Sequence, residues 1–162
     1  MLVKVVQDDI FNSDAKHIAF AINTEGYNDS GFAGQISSKY WNELSNCGEH
    51  EIGTVLSKTV GDKTFHTLVC YSLHDGWGQN QAEVIKKCFD KIPANGEPIA
   101  TIAIGSGFSG MVGGADFDQI AFGMYDSKQK IMLHVWYTLD TAINYNNEEK
   151  GNIKKKNRNY RS

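Results

Sequence analysis

The sequence predicts an α/β domain in which a central mixed sheet carries helices on both faces. Three observations lead there. Short apolar strands alternate with amphipathic helical stretches over residues 1–139. One pair of strands is joined by only two residues, Gly61-Asp62, and must therefore run antiparallel, while the other connections are long enough to be crossovers. Two strands end directly in glycine-rich loops, the arrangement in which backbone N–H groups gather at the carboxyl edge of a sheet.

Each element has its own warrant. Leu2–Gln7 alternates and predicts a strand, and His17–Ile22 predicts a second, more buried one. Phe32, Ile36 and Tyr40, with Ala33, Trp41 and Leu44 beside them, recur at helical spacing. Thr54–Val60 and Thr64–Leu73 are β-branched and aromatic runs flanking the hairpin turn. Asn80 followed by Glu83 reads as an N-terminal cap, and Ala82, Ile85, Phe89 and Ile92 form the stripe of the helix, which stops near Pro93 and Gly96. Thr101–Ile104 predicts a strand. Asp116 with Gln119 opens another helix, with Phe117, Ile120, Ala121 and Met124 on one face, and Lys130–Thr138 predicts the last strand.

Composition narrows the function classes. With 162 residues, 41% hydrophobic and 22% charged, the chain can bury a core without staples. No apolar run reaches membrane-spanning length, and MLVKVVQDD is not a signal peptide, so the expected location is the cytoplasm with no membrane contact. Cys47, Cys70 and Cys88 form no C-x-x-C pair and fit a reducing compartment, and no histidine or cysteine spacing predicts a metal site. Residues 140–162 hold six Lys/Arg against three Asp/Glu, a charge of +3, which leaves −6 on the rest. An acidic body is unlike a non-specific nucleic-acid binder, and a weak nucleic-acid contact is expected only of this basic, polar tail.

Four segments follow predicted strands and would meet at one crevice. Thr101–Gly114, TIAIGSGFSGMVGG, runs from a strand into Gly105, Gly107 and Gly110 and points to a phosphate-bearing ligand, the alternative being a glycine loop that only makes a tight turn. Its G-x-G-x-x-G string does not make a dinucleotide-binding unit, because only one helix and one strand follow it and Asp126 reads as a helix end. Asp8-Asp9-Ile10-Phe11 follows the first strand, where Asp9 is either an acceptor for an exocyclic amine or a solvated turn residue. Asn23 ends the second strand ahead of a polar loop and the backbone donors of Gly31–Gly34, and it either meets ribose hydroxyls or caps its own loop. Tyr71–Trp77 carries His74, read either as a catalytic base or as a surface histidine, with Asp75 beside it either to orient the ring or to cap the next turn.

In this order and spacing the segments resemble the macrodomains, the ADP-ribose-binding fold, over residues 1–139. Asp8-Asp9-Ile10 is similar to the family's Gly-Asp-Ile after strand one. Asn23-Thr24-Glu25-Gly26 with Gly31-Phe32-Ala33 resembles the divergent branch that holds the ADP-ribose 1″-phosphatases and the DNA and terminal ADP-ribosyl glycohydrolases. The resemblance implies a three-layer α/β/α domain followed by the tail at 140–162. Asp9 would then bind the adenine amine beside the Ile10 backbone, and Asn23 would hold the distal ribose. Gly31, Phe32, Ala33 and Gly34, together with Gly105, Ser106, Gly107, Phe108, Ser109 and Gly110, would cradle the diphosphate, and Tyr137 would pack on adenine. The expected ligand is ADP-ribose or ADP-ribose 1″-phosphate, with no cofactor and no metal.

The chain departs from that branch in three places. The usual glycine triplet is Ser30-Gly31-Phe32-Ala33-Gly34, no lysine precedes Trp77, and Ser109 stands where an acid is usual. Without the amine no covalent lysine adduct can form. The expected activity is therefore phosphate release from ADP-ribose 1″-phosphate, with Asn23 and His74 as catalytic residues. The alternatives are a non-catalytic ADP-ribose module, or removal of ADP-ribose from protein or nucleic acid.

Overall fold

A computed structural model of the chain describes residues 1–106 and 112–135. Six strands form one sheet: β1 (Leu2–Val6), β2 (His17–Asn23), β3 (Val55–Val60), β4 (Lys63–Tyr71), β5 (Ile99–Ile102) and β6 (Ile131–His134). Their order is β1-β6-β5-β2-β4-β3, and every neighbouring pair is parallel except β3–β4. The described helices are α1 (Gly31–Lys39), α2 (Gln81–Asp90) and α3 (Phe117–Asp126), with 3₁₀ turns at Ile10–Asn12 and Asn42–Asn46.

The helices lie on opposite faces. Ile36 of α1 packs with Ile18, Phe20, Ile22, Phe65 and Val69. On the other face Ile85 and Phe89 of α2 and Ile120 and Met124 of α3 pack over Ala19, Leu68 and Cys70. This is the three-layer α/β/α arrangement with a mixed sheet that the sequence predicts. The interior strand β4 is buried without interruption from Phe65 to Tyr71, as a strand covered on both faces must be. Truncating a fully buried anchor such as Ile85 would cost about 2–5 kcal/mol.

Several boundaries shift from expectation for local reasons. β5 begins at Ile99, directly after Pro98, and ends at Ile102 because Ala103–Ser106 turns away. Gly105 sits in that turn at φ +88°, a conformation open to glycine. β4 stops at Tyr71 because Ser72 folds back to pair with Gly76. Helix α1 closes at Lys39, so Trp41 becomes the N-cap of the 3₁₀ turn that follows and Leu44 lies within that turn. Asn80 occupies the N-cap of α2 but makes no side-chain cap there; the Gln119 carboxamide on α3 accepts from the Gln81 and Ala82 N–H groups instead. Asp116 caps α3 as expected, accepting from Asp118 and Gln119 N–H. The described part of the last strand is Ile131–His134; residues from 136 on lie outside the described residues.

At the amino end of β2, away from the glycine loops, His17 and His66 stack with ring centroids 5.1 Å apart and share a 2.9 Å hydrogen bond. Ser57 Oγ lies 2.6 Å from the other His66 ring nitrogen. Burial, reinforced by the neighbouring His17, pushes His66 down to about 4.

Candidate functional site at the carboxyl edge of the sheet

The sheet topology creates one crevice. β2 and β5 are parallel neighbours, but β2 hands the chain to α1 on one face and β5 hands it to α3 on the other. Their outgoing loops must part, and in open α/β sheets such a parting is where ligands enter. The loops after β1 and β4 leave from the same edge.

Asn23 is 1% exposed at the end of β2. Its Oδ1 accepts from Gly26 N–H at 2.8 Å and Tyr27 N–H at 3.1 Å, and its Nδ2 donates to the Tyr27 carbonyl at 2.8 Å. The side chain therefore shapes the loop that follows it. Glu25, two residues on, reaches across to the loop after β4: one carboxylate oxygen accepts from Leu73 N–H and the other from the Ser72 hydroxyl, both at 2.8 Å. Burial raises the Glu25 carboxyl, but these bonds outweigh it and hold the group below its ordinary range. Tyr71 stacks on Trp77 at 5.3 Å beneath this clamp, and burial pushes its hydroxyl up to about 12.

The first turn of α1 is arranged differently. Ser30 makes no side-chain cap, and among the described residues no other side chain bonds to the first-turn N–H groups. Gly31 has φ +62°, and a Cβ on Gly34 would lie 2.7 Å from the Asp29 carbonyl, so both positions need glycine. Phe32 stacks on Phe11 at 5.6 Å and meets Phe20 edge-on at 5.4 Å, which joins the α1 start to the turn after β1. In that turn Asp9 accepts from Phe11 N–H at 3.0 Å through one oxygen, and the other has no partner among the described residues. Ile10 is buried beside it. The structure thus brings Asp9, Ile10, Gly31, Phe32, Ala33 and Gly34 to one side of the crevice.

Gly105 and Ser106 stand on the β5 side. The Ser106 hydroxyl donates back to the Ala103 carbonyl at 2.5 Å and so belongs to its own turn. Gly107, Phe108, Ser109, Gly110 and Tyr137 lie outside the described residues. His74 is exposed at the tip of the loop after β4, where Ser72 Oγ accepts from the His74 and Asp75 N–H groups at 3.1 Å. Below that tip opens a cavity of about 750 Å³ whose wall includes Glu25, Glu49, Glu51, Asp75 and Trp77 but not His74. Four carboxylates make this pocket itself a poor host for phosphates.

Three residues that the sequence did not single out bear on the site. Glu25 and Gln81 are the polar clamps between loops. His134, 7% exposed at the end of β6, places Nδ1 3.3 Å from the Asp8 carbonyl, so that nitrogen is the donor. Its Nε2 is a buried acceptor with no partner among the described residues. Only a histidine inside an otherwise apolar strand could have marked it. Among the described residues no group of three His, Cys, Asp or Glu side chains could hold a metal ion, and no helix is long and apolar enough to cross a membrane.

No protein-family model matches the sequence, and no curated protein does. Solved structures do match. The macrodomain of Mycobacterium tuberculosis DarG aligns at TM-score 0.59 and 14% identity, over 80% of this chain and 96% of that one. DarTG of Thermosipho africanus in complex with ADP-ribose aligns at 0.57 and 14%, over 84% and 41%. An alphavirus P23pro-zbd structure aligns at 0.61 and 12%, over 94% of this chain and 24% of that one. The chain thus spans less than half the length of the last two. With the mixed sheet, its helices on both faces and the crevice between β2 and β5, the chain has the macrodomain fold.

Proposed function

We propose that the chain binds ADP-ribose or a close derivative in the crevice between β2 and β5. The observation that carries this reading is the pairing, through the Phe11–Phe32 stack, of an Asp9 carboxylate with one open oxygen and an α1 start that no side chain caps, both among the described residues. An acceptor for an amine and a row of backbone donors for a diphosphate stand on the same side of the crevice. The ADP-ribose present in the Thermosipho africanus neighbour supports the same ligand class. Asp9 would accept from adenine, and the Gly31–Gly34 backbone and the late glycine loop would cradle the diphosphate.

For turnover, the reading is phosphate release from ADP-ribose 1″-phosphate. Water would attack the terminal phosphorus, with His74 donating a proton to the leaving oxygen and Asn23 holding the loop against the ribose. A non-catalytic module is favoured by a separate observation: the Asn23 amide is engaged at both ends within its own loop. The free state of Cys47, Cys70 and Cys88 supports a reducing, cytoplasmic setting.

Calorimetric titration with ADP-ribose, with ADP and NAD as controls, tests the binding reading, and selective saturable binding is expected. No heat with any of the three overturns it. Phosphate release from ADP-ribose 1″-phosphate then separates the enzyme from the module.

A further inference from the structure

His134 is the last paired residue of β6, set between Val6 of β1 and Ile102 of β5. Side chains alternate along a strand. Ile131 packs in the core beneath α2 and α3 and Met132 packs on the α1 side, so His134 falls on the α1 side with Met132. That is the face on which Asp9, Ile10 and the Phe11–Phe32 stack stand at the carboxyl edge. The 3₁₀ turn Ile10–Asn12 leaves β1 and reaches β5. β6 lies between those two strands, so the turn crosses the end of β6 over His134.

The ring is tied to the start of this turn. Nδ1 donates to the Asp8 carbonyl at 3.3 Å, which fixes the tautomer and leaves Nε2 an acceptor. The two nitrogens of an imidazole face away from each other. With Nδ1 on the β1 side, Nε2 looks toward β5, the strand that borders the crevice. His134 is 7% exposed, and Nε2 is the one buried side-chain nitrogen or oxygen with no hydrogen-bond partner among the described residues. An acceptor shut away from water and left unpaired is costly, so it marks a place where a donor belongs.

Asp9, one residue past Asp8, holds a second acceptor beside the same turn. One of its oxygens accepts from Phe11 N–H, and the other has no partner among the described residues. Two acceptors at one end of a crevice fit a group with two hydrogens to give. An exocyclic amine is such a group, whereas a carbonyl oxygen in its place would meet lone pairs on both sides.

We propose that His134 is a specificity-determining residue: Nε2 accepts one hydrogen of a purine's exocyclic amine while Asp9 accepts the other, so the site takes aminopurine nucleotides and rejects oxopurine ones. This rests on the ADP-ribose reading above and adds to it a residue that reads the base.

The test uses the full chain, unaltered and with His134→Asn or His134→Gln, and compares ADP-ribose with its hypoxanthine counterpart, inosine diphosphate ribose. Asparagine keeps a donor where Nδ1 stands and has no atom at the place of Nε2, which glutamine reaches with its carboxamide. The unaltered chain should prefer ADP-ribose by about a hundredfold or more. His134→Asn should lower that preference by about tenfold, through weaker ADP-ribose binding, and His134→Gln should recover part of it. A purely structural role would instead lower Tm and weaken both ligands alike. Equal affinity of the unaltered chain for the two ligands, a preference that His134→Asn leaves unchanged, or equal losses for both ligands would overturn the proposal. A measurement on the unaltered chain does not depend on how the variants fold: with isotope-labelled histidine, saturating ADP-ribose should move the His134 Nε2 resonance. A resonance left in place would overturn the proposal as well. If the unaltered chain binds neither ligand, the ADP-ribose reading fails and this inference falls with it. Selective binding that His134→Asn does not alter fails the inference alone.

Discussion

The two sides of the crevice use their polar groups in opposite ways. On the β2–β4 side, Asn23 is bonded to its own loop, Glu25 to Ser72 and Leu73, and Gln81 to Gly78, Gly114 and Asp116. On the β1–α1 side, among the described residues, Asp9 keeps an oxygen without a partner and α1 begins with no side-chain cap. A buried polar group left unpaired costs about 1–3 kcal/mol, so the closed side is paired internally and frames the site. The open side lies nearer solvent, where unmet donors and acceptors cost little until a ligand takes them. The difference separates frame from binding face.

The largest expected effect is on the frame. A Cβ on Gly26, which has φ +84°, would stand 2.2 Å from the Gly48 carbonyl oxygen, so Gly26→Ala should destabilise by about 4 kcal/mol, measured by urea denaturation. A loss under about 1 kcal/mol would show that the loop can yield and is not a frame. Asn23→Ala removes three hydrogen bonds from a side chain 1% exposed and should cost about 3 kcal/mol. If Asn23 also meets the ribose, turnover should fall further than binding does; parallel losses would confine it to the loop.

A third region serves as a control. The unfolded His66 imidazole takes up a proton as pH falls below 6.5, while the folded one stays neutral until about 4. Acid therefore favours the unfolded chain, and about 2 kcal/mol should be lost across that window. Denaturation at several pH values should show the slope, and His66→Asn should flatten it. This pair lies at the amino end of β2, so ADP-ribose affinity of the folded chain should not follow the same curve.

The smallest stability change is expected on the binding face. Asp9→Ala loses one cap to Phe11 N–H and should cost about 1 kcal/mol. Its affinity for ADP-ribose should nonetheless fall by about tenfold or more, since an amine bonded to a charged acceptor contributes about 1.5–3 kcal/mol. Affinity that survives Asp9→Ala would remove the adenine assignment and the comparison with it.

Much of the frame was legible because it repeats along the chain. The stripe of Ile85 and Phe89, the Gly61-Asp62 turn and the Asp116 cap are patterns of a few neighbouring residues, and each appears as expected. Boundaries slipped where a turn intervened, at Ile102 and Tyr71. Asn80 takes the N-cap position of α2 that its spacing with Glu83 predicts, yet the capping acceptor comes from Gln119, 38 positions after Gln81. The positions of Asp9 and Gly31 were legible from the strand ends before them. The engagement of Asn23 was not, because a carboxamide at a strand end suits a ribose and a loop equally well.

Local periodicity and turn chemistry in the sequence by themselves determined the α/β class, the antiparallel hairpin and the clustering of loops at one edge, since these depend on residues within a few positions of each other. Only the tertiary structure decided which polar side chains close the frame and which stay open. Glu25 meets Ser72 and Leu73 across 47 and 48 positions, Gln81 meets Gly114 and Asp116 across 33 and 35, and His134 meets Asp8 across 126, and a contact across such a distance exists only once the sheet has been ordered.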